Sequence, residues 1–160
     1  MKKIKLTRGV STVVDNEDFE PLNKYKWFLG TLGYACRTVR RKGIKSTTIY
    51  MHREILKTPD GYLSDHIDGD KLNNRKSNLR VCTSQQNHFN QKKTRGVSKY
   101  KGVHWNKRDA RWIAKLKYNG KTISAGSFKS EEQAALAYNR KAASYFKKFA
   151  RVNSVSGGGG

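Results

Sequence analysis

The chain has 160 residues, of which 36% are hydrophobic and 29% are charged. This length suits one ordinary domain or two small ones, and the low apolar content favours two small cores over a single large one. The formal net charge is +22, from 34 lysines and arginines against 12 acidic residues. No apolar stretch approaches the roughly 20 residues that span a bilayer and no signal peptide is visible, so we expect a cytoplasmic protein without membrane contact.

The positive charge is distributed along the whole chain. Residues 95–160 contain 15 lysines and arginines against 3 acidic residues, and residues 1–94 contain the other 19 against 9. A surplus of this size destabilises a compact fold by self-repulsion unless a polyanion neutralises it. A solvated basic surface and an anionic-membrane binder are the alternatives, but the interleaving of charge with aromatic residues favours nucleic acid.

The two cysteines, Cys36 and Cys82, lie far apart and form no closely spaced pair. A structural zinc site uses four ligands, usually in such pairs, so we expect no zinc. Two buried thiols in a reducing compartment are the expectation.

The first half of the chain alternates strand and turn signals, which predicts a small antiparallel sheet. A helix is expected over His52–Lys57, before Pro59. The other expected elements are strands at Val10–Val14, Tyr25–Leu29, Tyr34–Val39 and Ser46–Met51, a turn or helix start at Asp15–Asp18, a strand at Arg80–Thr83, and a helix that Ser84 begins and that continues through Gln91.

The second half predicts a three-stranded sheet followed by one helix. The strands are expected at Tyr100–Trp105, Arg111–Tyr118 and Lys121–Ala125, with a hairpin turn at Asn119-Gly120. Ser130 and Gln133 form a capping box that begins a helix from Glu131 to about Phe149. Its apolar stripe consists of Ala134, Ala135, Tyr138, Ala142, Tyr145, Phe146 and Phe149.

The most informative segment is Asp65–Arg80, followed by Thr83–Asn87. Hydrolysis of a phosphodiester needs a base near neutral pH, a divalent cation and oxygen ligands for that cation. Histidine has a suitable pKa, and carboxylate and amide oxygens suit Mg²⁺. The Asp65-His66 pair with the asparagine-rich residues after it supplies all three. Turn formation alone explains Ile67–Asp70 but not the whole spacing.

This segment resembles the HNH endonucleases of phages and mobile introns, through the pattern DHIDG…NNR…NLR…T…N. The resemblance implies two strands and a helix around one metal ion, with Asp65 and Asn87 as ligands of Mg²⁺ (or Mn²⁺). It also implies His66 as general base and Asn78 as the residue that orients it, through its backbone or its side chain. Many members have histidine at the position of Asn87, and the homing branch resembles the asparagine variant.

Neighbouring polar residues receive structural interpretations. Asp68 and Asp70 are read as turn and capping residues, and Asn73, Asn74 and Arg75 as structural or phosphate-facing. His88 is expected to point away from the site on its helix, and His52 is interpreted as structural because it lies outside the motif.

Residues 99–153 resemble the AP2-type DNA-binding domain, through YKGV, RWIAKL, GK, GSF, the helix EEQAALAYN and the late Ala150 and Asn153. The resemblance implies a three-stranded sheet lying in the major groove and backed by one helix. Alternation independently places Trp112, Ala114, Leu116 and Tyr118 on one face of the middle strand and Arg111, Ile113, Lys115 and Lys117 on the other. A solvated hairpin face is the alternative.

The sequence therefore predicts an α+β protein: a small antiparallel sheet, a ββα-metal motif, then a sheet-and-helix module. The domains are expected at 1–93 (nuclease), 94–98 (linker) and 99–153 (AP2-type), with a flexible tail at 154–160. The candidate DNA-binding residues are Arg75, Arg80, Lys101, His104, Asn106, Arg111, Ile113, Lys115, Lys117 and Lys121. For Trp105 two roles stay open, contact with DNA and covering the core.

The leading hypothesis is a monomeric, phage-encoded homing-type endonuclease that nicks or cleaves double-stranded DNA in a bacterial host. A non-catalytic DNA-binding protein and an RNA-binding protein are the alternatives.

Overall fold

The computed structural model describes residues 1–41, 43–92 and 96–155. The chain is a mixed α/β protein with several small antiparallel sheets, as its sequence predicts. It divides into two compact units, Met1–Asn87 and His88–Gly160, here called unit 1 and unit 2. The nuclease and AP2-type domain boundaries stay predictions. Residues 94 and 95 of the expected linker and 156–160 of the expected tail lie outside the described residues.

Unit 1 contains three small sheets, each antiparallel. The strands are β1 (Lys2–Lys5), β2 (Ser11–Val14), β3 (Phe28–Leu29), β4 (Ala35–Arg41), β5 (Ile44–Tyr50), β6 (Leu63–His66) and β7 (Leu79–Cys82), and the helices are α1 (Asn16–Asn23), α2 (Met51–Leu56) and α3 (Ser84–Asn90), which continues past the division between the units. The sheets pair β1 with β2, β4 with both β3 and β5, and β6 with β7.

The core of unit 1 forms where β1, β2 and the helices α1 and α2 turn apolar side chains inward. On β1 and β2 the buried positions alternate, so that Ile4 and Val14 face the core while their neighbours face outward. Trp27 is buried and donates its indole N–H to the Leu22 carbonyl at 2.8 Å, which satisfies its polar atom. The buried cluster comprises Ile4, Leu6, Val14, Leu22, Trp27, Ala35 and Met51.

Helix α2 buries the imidazole of His52 beside Met51. Its Nδ1 has no hydrogen-bond partner within the part of the chain that the structure describes. The pKa of His52 is lowered to about 3, mainly by burial and also by the nearby His66 and Arg53. The helix ends at Leu56, and Lys57, which caps it in the left-handed conformation, lies two residues before Pro59, so the helix stops before the proline as expected.

The loop after β6 is held against β2 by backbone hydrogen bonds. Val13 donates to the Leu72 carbonyl at 2.9 Å and accepts from the Asn74 amide at 2.8 Å. Val13 and Asn73 form an isolated parallel β-bridge, so the loop pairs with β2 at this one residue. Leu72 also packs against the buried core. This docking fixes the residues that follow Asp65-His66.

Unit 2 is a three-stranded antiparallel sheet with one long helix on one face. The elements are β8 (Val103–Asn106), β9 (Arg111–Tyr118), β10 (Lys121–Phe128) and α4 (Glu131–Phe146). The strand order is β8–β9–β10, with β9 in the centre. Ala114 and Leu116 on β9 are buried while Arg111, Lys115 and Lys117 are exposed, which confirms the expected alternation.

The turn and the helix start of unit 2 follow their local chemistry. Asn119 and Gly120 have φ of 48° and 76°, the left-handed pair that a tight hairpin requires. The Ser130 side chain accepts hydrogen bonds from the amides of Glu132 and Gln133, which confirms the predicted cap. The helix ends at Phe146, and one 3₁₀ turn continues to Phe149. Its buried residues are Ala134, Ala135, Ala137, Tyr138, Ala142 and Phe146.

An asparagine near the end of the described chain closes unit 2. The Asn153 side chain accepts from the Lys101 amide at 2.7 Å and donates to the Lys101 carbonyl at 3.0 Å. Its backbone makes the same reciprocal pair with the side chain of Asn139 on α4, at 2.7 and 2.8 Å. The last residues are thereby bonded both to the segment before β8 and to the helix.

Replacing Gly102 should destabilise unit 2 strongly. Gly102 has φ of +75°, and an added Cβ would overlap the Tyr138 ring and lie 2.8 Å from the Lys115 carbonyl. We expect Gly102→Ala to lower the free energy of unfolding by roughly 3 kcal/mol. Gly120→Ala is the matched control: its φ is +76° in open space, so only the backbone cost of about 1 kcal/mol applies. Urea titration followed through the indole NMR signals of Trp105 and Trp112 measures both, and equal losses would contradict the packing argument.

The buried His52 should make unit 1 sensitive to acid. Its folded pKa is about 3, below the ordinary value of 6.5, so protons bind the unfolded state first. The free energy of unfolding should therefore fall as pH decreases from about 6.5 towards 3, by about 2 kcal/mol at pH 5. His52→Phe should remove most of that loss, measured by urea unfolding at pH 7 and pH 5 through the Trp27 indole signal. The exposed His88→Phe should keep it; an undiminished loss in His52→Phe would refute the assignment.

Candidate active site

Asp65 and His66 end strand β6, where pairing with β7 holds both residues in a defined register. Asp65 lies opposite Arg80 and His66 opposite Leu79. Both side chains are buried, with 6% and 4% of their surface exposed. A buried carboxylate and imidazole need hydrogen-bonding partners, because an unpaired polar group in the interior is costly. The partners given below come from β7, from the following loop and from β2.

The Asp65 carboxylate receives a forked hydrogen bond from Arg80. The Nε and a terminal nitrogen of that guanidinium lie 2.8 and 2.7 Å from Oδ2 of Asp65. The pair is almost fully buried. Such a charge-assisted contact orients the carboxylate and balances its charge. Arg80, expected at DNA, therefore contacts Asp65 here.

His66 is hydrogen-bonded through its Nε2, which lies 3.1 Å from Oδ1 of Asn74. The Asn74 amide nitrogen donates to the Thr12 hydroxyl at 2.7 Å, and that hydroxyl donates to the Leu72 carbonyl at 2.7 Å. Thr12 and Asn74 are fully buried. Burial lowers the pKa of His66, although the Asn74 contact and the nearby aspartates act in the opposite direction. The imidazole is therefore neutral at pH 7, the form that accepts a proton.

Asn78 holds the loop that follows His66. Its backbone carbonyl accepts from the Ile67 amide at 2.9 Å, and its side chain donates to Oδ1 of Asp68 and to the Asn73 carbonyl, both at 2.9 Å. Asn78 is therefore bonded to the backbone beside His66, while the side-chain contact to the imidazole comes from Asn74. The orienting role of Asn78 stays a prediction. The sequence predicts only that Asn74 is structural or phosphate-facing. It does not distinguish which of the neighbouring asparagines contacts the histidine.

Asp68 and Asp70 make turn contacts, as their interpretation required. Asp68 accepts from the Asp70 amide at 2.7 Å and from the Asn73 side chain at 2.7 Å, and Asp70 accepts from the Leu72 amide at 2.9 Å. Burial would raise the pKa of Asp68, but the hydrogen bonds from Asn73, Asp70 and Asn78 outweigh it and lower the pKa. Arg75 donates to the Asn73 side chain at 3.1 Å.

Two rings lie against the His66 imidazole, that of His52 on α2 and that of Tyr34, the residue before β4. The His52 ring lies edge-on at 5.1 Å between centroids, and the Tyr34 ring lies at 5.8 Å. Tyr34 also contacts His52 at 4.9 Å and Tyr50 at 5.9 Å. Burial raises the pKa of Tyr34, and the negative charge of Asp65 raises it further. His52 lies outside the motif, 13 residues before Asp65, so no local spacing predicts that its ring contacts His66.

Asp65 and Asn87 are the two residues predicted to hold a divalent cation. Asp65 has a carboxylate and Asn87, half-buried in the first turns of α3, has an amide oxygen, both of a kind that Mg²⁺ accepts. Within the described ranges, no three histidine, cysteine, aspartate or glutamate side chains gather as a metal cluster. The pairing of Asp65 with Asn87 as ligands stays a prediction.

The outer face of unit 2 carries the exposed cations that the alternation predicts. Arg111, Lys115 and Lys117 project from β9, and Lys121 begins β10. His104 on β8 is half-buried and, with Lys115 and Lys117, lines a surface cavity of about 640 Å³. Ile113 is half-buried on the same strand.

Two other candidates for DNA contact have partners inside unit 2. The Lys101 ammonium donates to the carbonyls of Phe89 and Gln91 at 2.6 and 2.7 Å, where α3 ends. Burial lowers the pKa of Lys101 to about 8, and nearby Arg151 contributes. Asn106 donates to the Asp109 carboxylate at 2.6 Å within the β8–β9 turn. Neither positive charge nor resemblance to the AP2-type domain predicts these internal contacts of Lys101 and Asn106.

Trp105 packs edge-to-face on Trp112, with ring centroids 5.1 Å apart, and 38% of its surface stays exposed. It therefore both contacts a neighbouring ring and presents a surface to solvent.

A search of the described residues finds no helix long and apolar enough to cross a membrane.

Comparison with known proteins agrees with the geometry of the site. A family model described as HNH endonuclease matches residues 57–89, which include Asp65, His66, Asn78 and Asn87. An uncharacterized HNH endonuclease of Acanthamoeba polyphaga mimivirus is 36% identical over 154 residues, covering 92% of this chain and 77% of that protein. Protein 3.8 of Escherichia phage T7 is 38% identical over 64 residues, covering 39% of this chain and 53% of that protein.

The match to the mimivirus protein extends well beyond the short segment that contains the histidine. Together with the family match over that segment, this similarity shows that the chain belongs to the HNH endonuclease family.

Proposed function

We propose that this HNH endonuclease is a metal-dependent enzyme of the homing type that nicks or cleaves double-stranded DNA, with unit 2 directing it to its site. The observation that carries the proposal is the buried His66 imidazole, which is held through Nε2 by Asn74 and follows Asp65 directly on strand β6. Phosphodiester hydrolysis uses a positioned general base, and a histidine held in this way can serve as one.

In the proposed reaction, His66 removes a proton from water. The water oxygen then forms a bond to phosphorus, the bond between phosphorus and the 3′ oxygen breaks, and the 3′ oxygen leaves and is protonated. A divalent cation on Asp65 and Asn87, when bound, neutralises charge on the phosphate and the departing oxygen. Mg²⁺ is proposed as the ion, with Mn²⁺ as a substitute.

The surrounding residues support the base. Asn78 fixes the backbone beside His66 through its bonds to Ile67 and Asp68. The rings of His52 and Tyr34 pack around the imidazole and exclude water from that side. A base that is held in place loses little entropy on reaching the reactive geometry, which lowers the barrier.

Unit 2 is proposed to act as an AP2-type module. Its supporting feature is a three-stranded sheet with a helix on one face and exposed cations on the other. A ribbon of this width fits the major groove, and its lysines and arginines contact phosphates and guanine edges. A monomer with one such active site cuts one strand per docking event, so nicking is the expected first product.

The biological setting is also part of the proposal. The relatives from a phage and a giant virus support a virus-encoded enzyme, which we place in the cytoplasm of a bacterial host. A non-catalytic DNA-binding protein is the second candidate, favoured only by the strong positive charge.

Replacing His66 should abolish cleavage. Supercoiled plasmid and phage genomic DNA are incubated with the full chain and Mg²⁺ or Mn²⁺, and products are mapped by sequencing. We expect the wild type to nick, His66→Ala to lose at least about 10²-fold in rate, and a chelator to stop the reaction. His88→Ala, at an exposed histidine of α3, should cleave like the wild type. Equal cleavage by His66→Ala would refute the base assignment, and tight binding without any cleavage would support the second candidate.

Removing the outer cations of β9 should weaken DNA binding in a salt-dependent way. Lys115→Ala and Lys117→Ala together should lower affinity for duplex DNA and reduce the slope of log K against log salt by about 0.9 per lost phosphate contact. As a control, Arg140→Ala removes one positive charge from an exposed position of α4 and should leave the slope unchanged. Fluorescence anisotropy at several salt concentrations measures this. An unchanged slope in the double variant would exclude this face as the phosphate-binding surface.

A further inference from the structure

A series of three hydrogen bonds ends at His66, and the chemistry of the groups determines which atom donates in each. The series runs from the Leu72 carbonyl through the Thr12 hydroxyl and the Asn74 amide to Nε2 of His66. Its distances are 2.7, 2.7 and 3.1 Å, and Thr12, Asn74 and His66 are all buried. In this environment each group must satisfy its donors and acceptors locally.

The hydrogen bond from Thr12 to Leu72 determines the direction of the one between Asn74 and Thr12. A backbone carbonyl can only accept, so the single hydroxyl proton of Thr12 is used on Leu72. The Thr12 oxygen can then only accept from Asn74, and the amide must turn its nitrogen towards Thr12. The Leu72 carbonyl itself is held by the Val13 amide at 2.9 Å, so the start of the series is fixed by the backbone.

The hydrogen bond from Asn74 to Thr12 determines the direction of the one between His66 and Asn74. With its nitrogen on Thr12, Asn74 presents Oδ1 to the imidazole, and a carbonyl oxygen can only accept. Nε2 of His66 must therefore carry the proton. In the neutral ring the lone pair is then on Nδ1, which is the atom able to accept a proton from water.

We propose that Thr12 is a positioning residue for the proposed reaction: through Asn74 it selects the Nε2-protonated tautomer of His66 and so assigns the base to Nδ1. Thr12 lies on β2, outside residues 57–89 that match the family model. The inference rests on the proposed role of His66 as general base. A histidine in the wrong tautomer keeps its place but loses its function, which in a comparable triad costs about 10⁴-fold in rate.

The isosteric change Thr12→Val tests this. It keeps the shape of the side chain but removes the hydroxyl, so Asn74 is free to rotate its amide and offer its nitrogen to Nε2. We expect kcat to fall at least about 30-fold with KM changed less than about 2-fold, since an orienting contact rather than substrate binding is lost. Thr12→Ser retains the hydroxyl and should recover most of the rate.

Nitrogen-15 NMR of the histidine side chains reads the tautomer directly and without cleavage. The wild type and Thr12→Ser should show a protonated-type Nε2 on His66, and Thr12→Val should show a mixture or the Nδ1-protonated form. A wild type with protonated Nδ1 would overturn the inference even if Thr12→Val fails to fold. A folded Thr12→Val with unchanged tautomer and unchanged kcat would overturn it as well.

The two levels of the proposal fail in distinguishable ways. If the wild type cleaves no DNA, the proposed function is wrong while the tautomer measurement still decides whether Thr12 sets the ring. If the wild type cleaves and the tautomer is the opposite one, the function stands and the role of Thr12 is wrong.

Discussion

The docking of the 67–78 loop on strand β2 is the contact on which the active site depends. Backbone hydrogen bonds join Val13 to Leu72 and to Asn74, and Leu72 packs on the core of unit 1. Without this docking, neither Asn74 nor the Leu72 carbonyl would have a fixed place, and His66 would lose its Nε2 contact. The hydrophobic core thus positions a polar site through one strand rather than through direct contact.

The site and the outer face of unit 2 use positive charge differently. Arg80 and Lys101 bind acceptors of the protein itself: Arg80 binds the Asp65 carboxylate, and Lys101 binds carbonyls at the end of α3. The cations of β9 and Lys121 are exposed. Net charge therefore overstates the surface available to DNA, because some of the 34 basic residues satisfy buried acceptors.

The sequence predicted the elements whose signals are local and missed those that depend on distant partners. Alternation on β9, the Asn119-Gly120 turn and the Ser130 cap each arise within a few residues, and all three are confirmed. Strands β1 and β6 were missed, because Lys2–Lys5 is rich in lysine and Leu63–His66 ends in polar residues. Their pairing partners, not their own propensities, make them strands. The motif located Asp65, His66 and Asn78. The contacts of His66 with Asn74 and His52, and of Asn74 with Thr12, join residues up to 62 positions apart, which no spacing rule reveals.

Both units are closed by an asparagine that is synthesised long after its partner. Asn74 follows Thr12 by 62 residues and Asn153 follows Lys101 by 52. Each closing contact therefore needs a long loop to be ordered first, and contacts of this separation slow folding through the entropy of chain closure. On the ribosome, β1 and β2 emerge early but cannot complete their polar interior until the HNH segment has been translated. A chain stopped before residue 74 would contain every residue of the buried cluster and His66 itself, but it would lack Asn74, the side-chain partner that both Thr12 and His66 have in the complete unit.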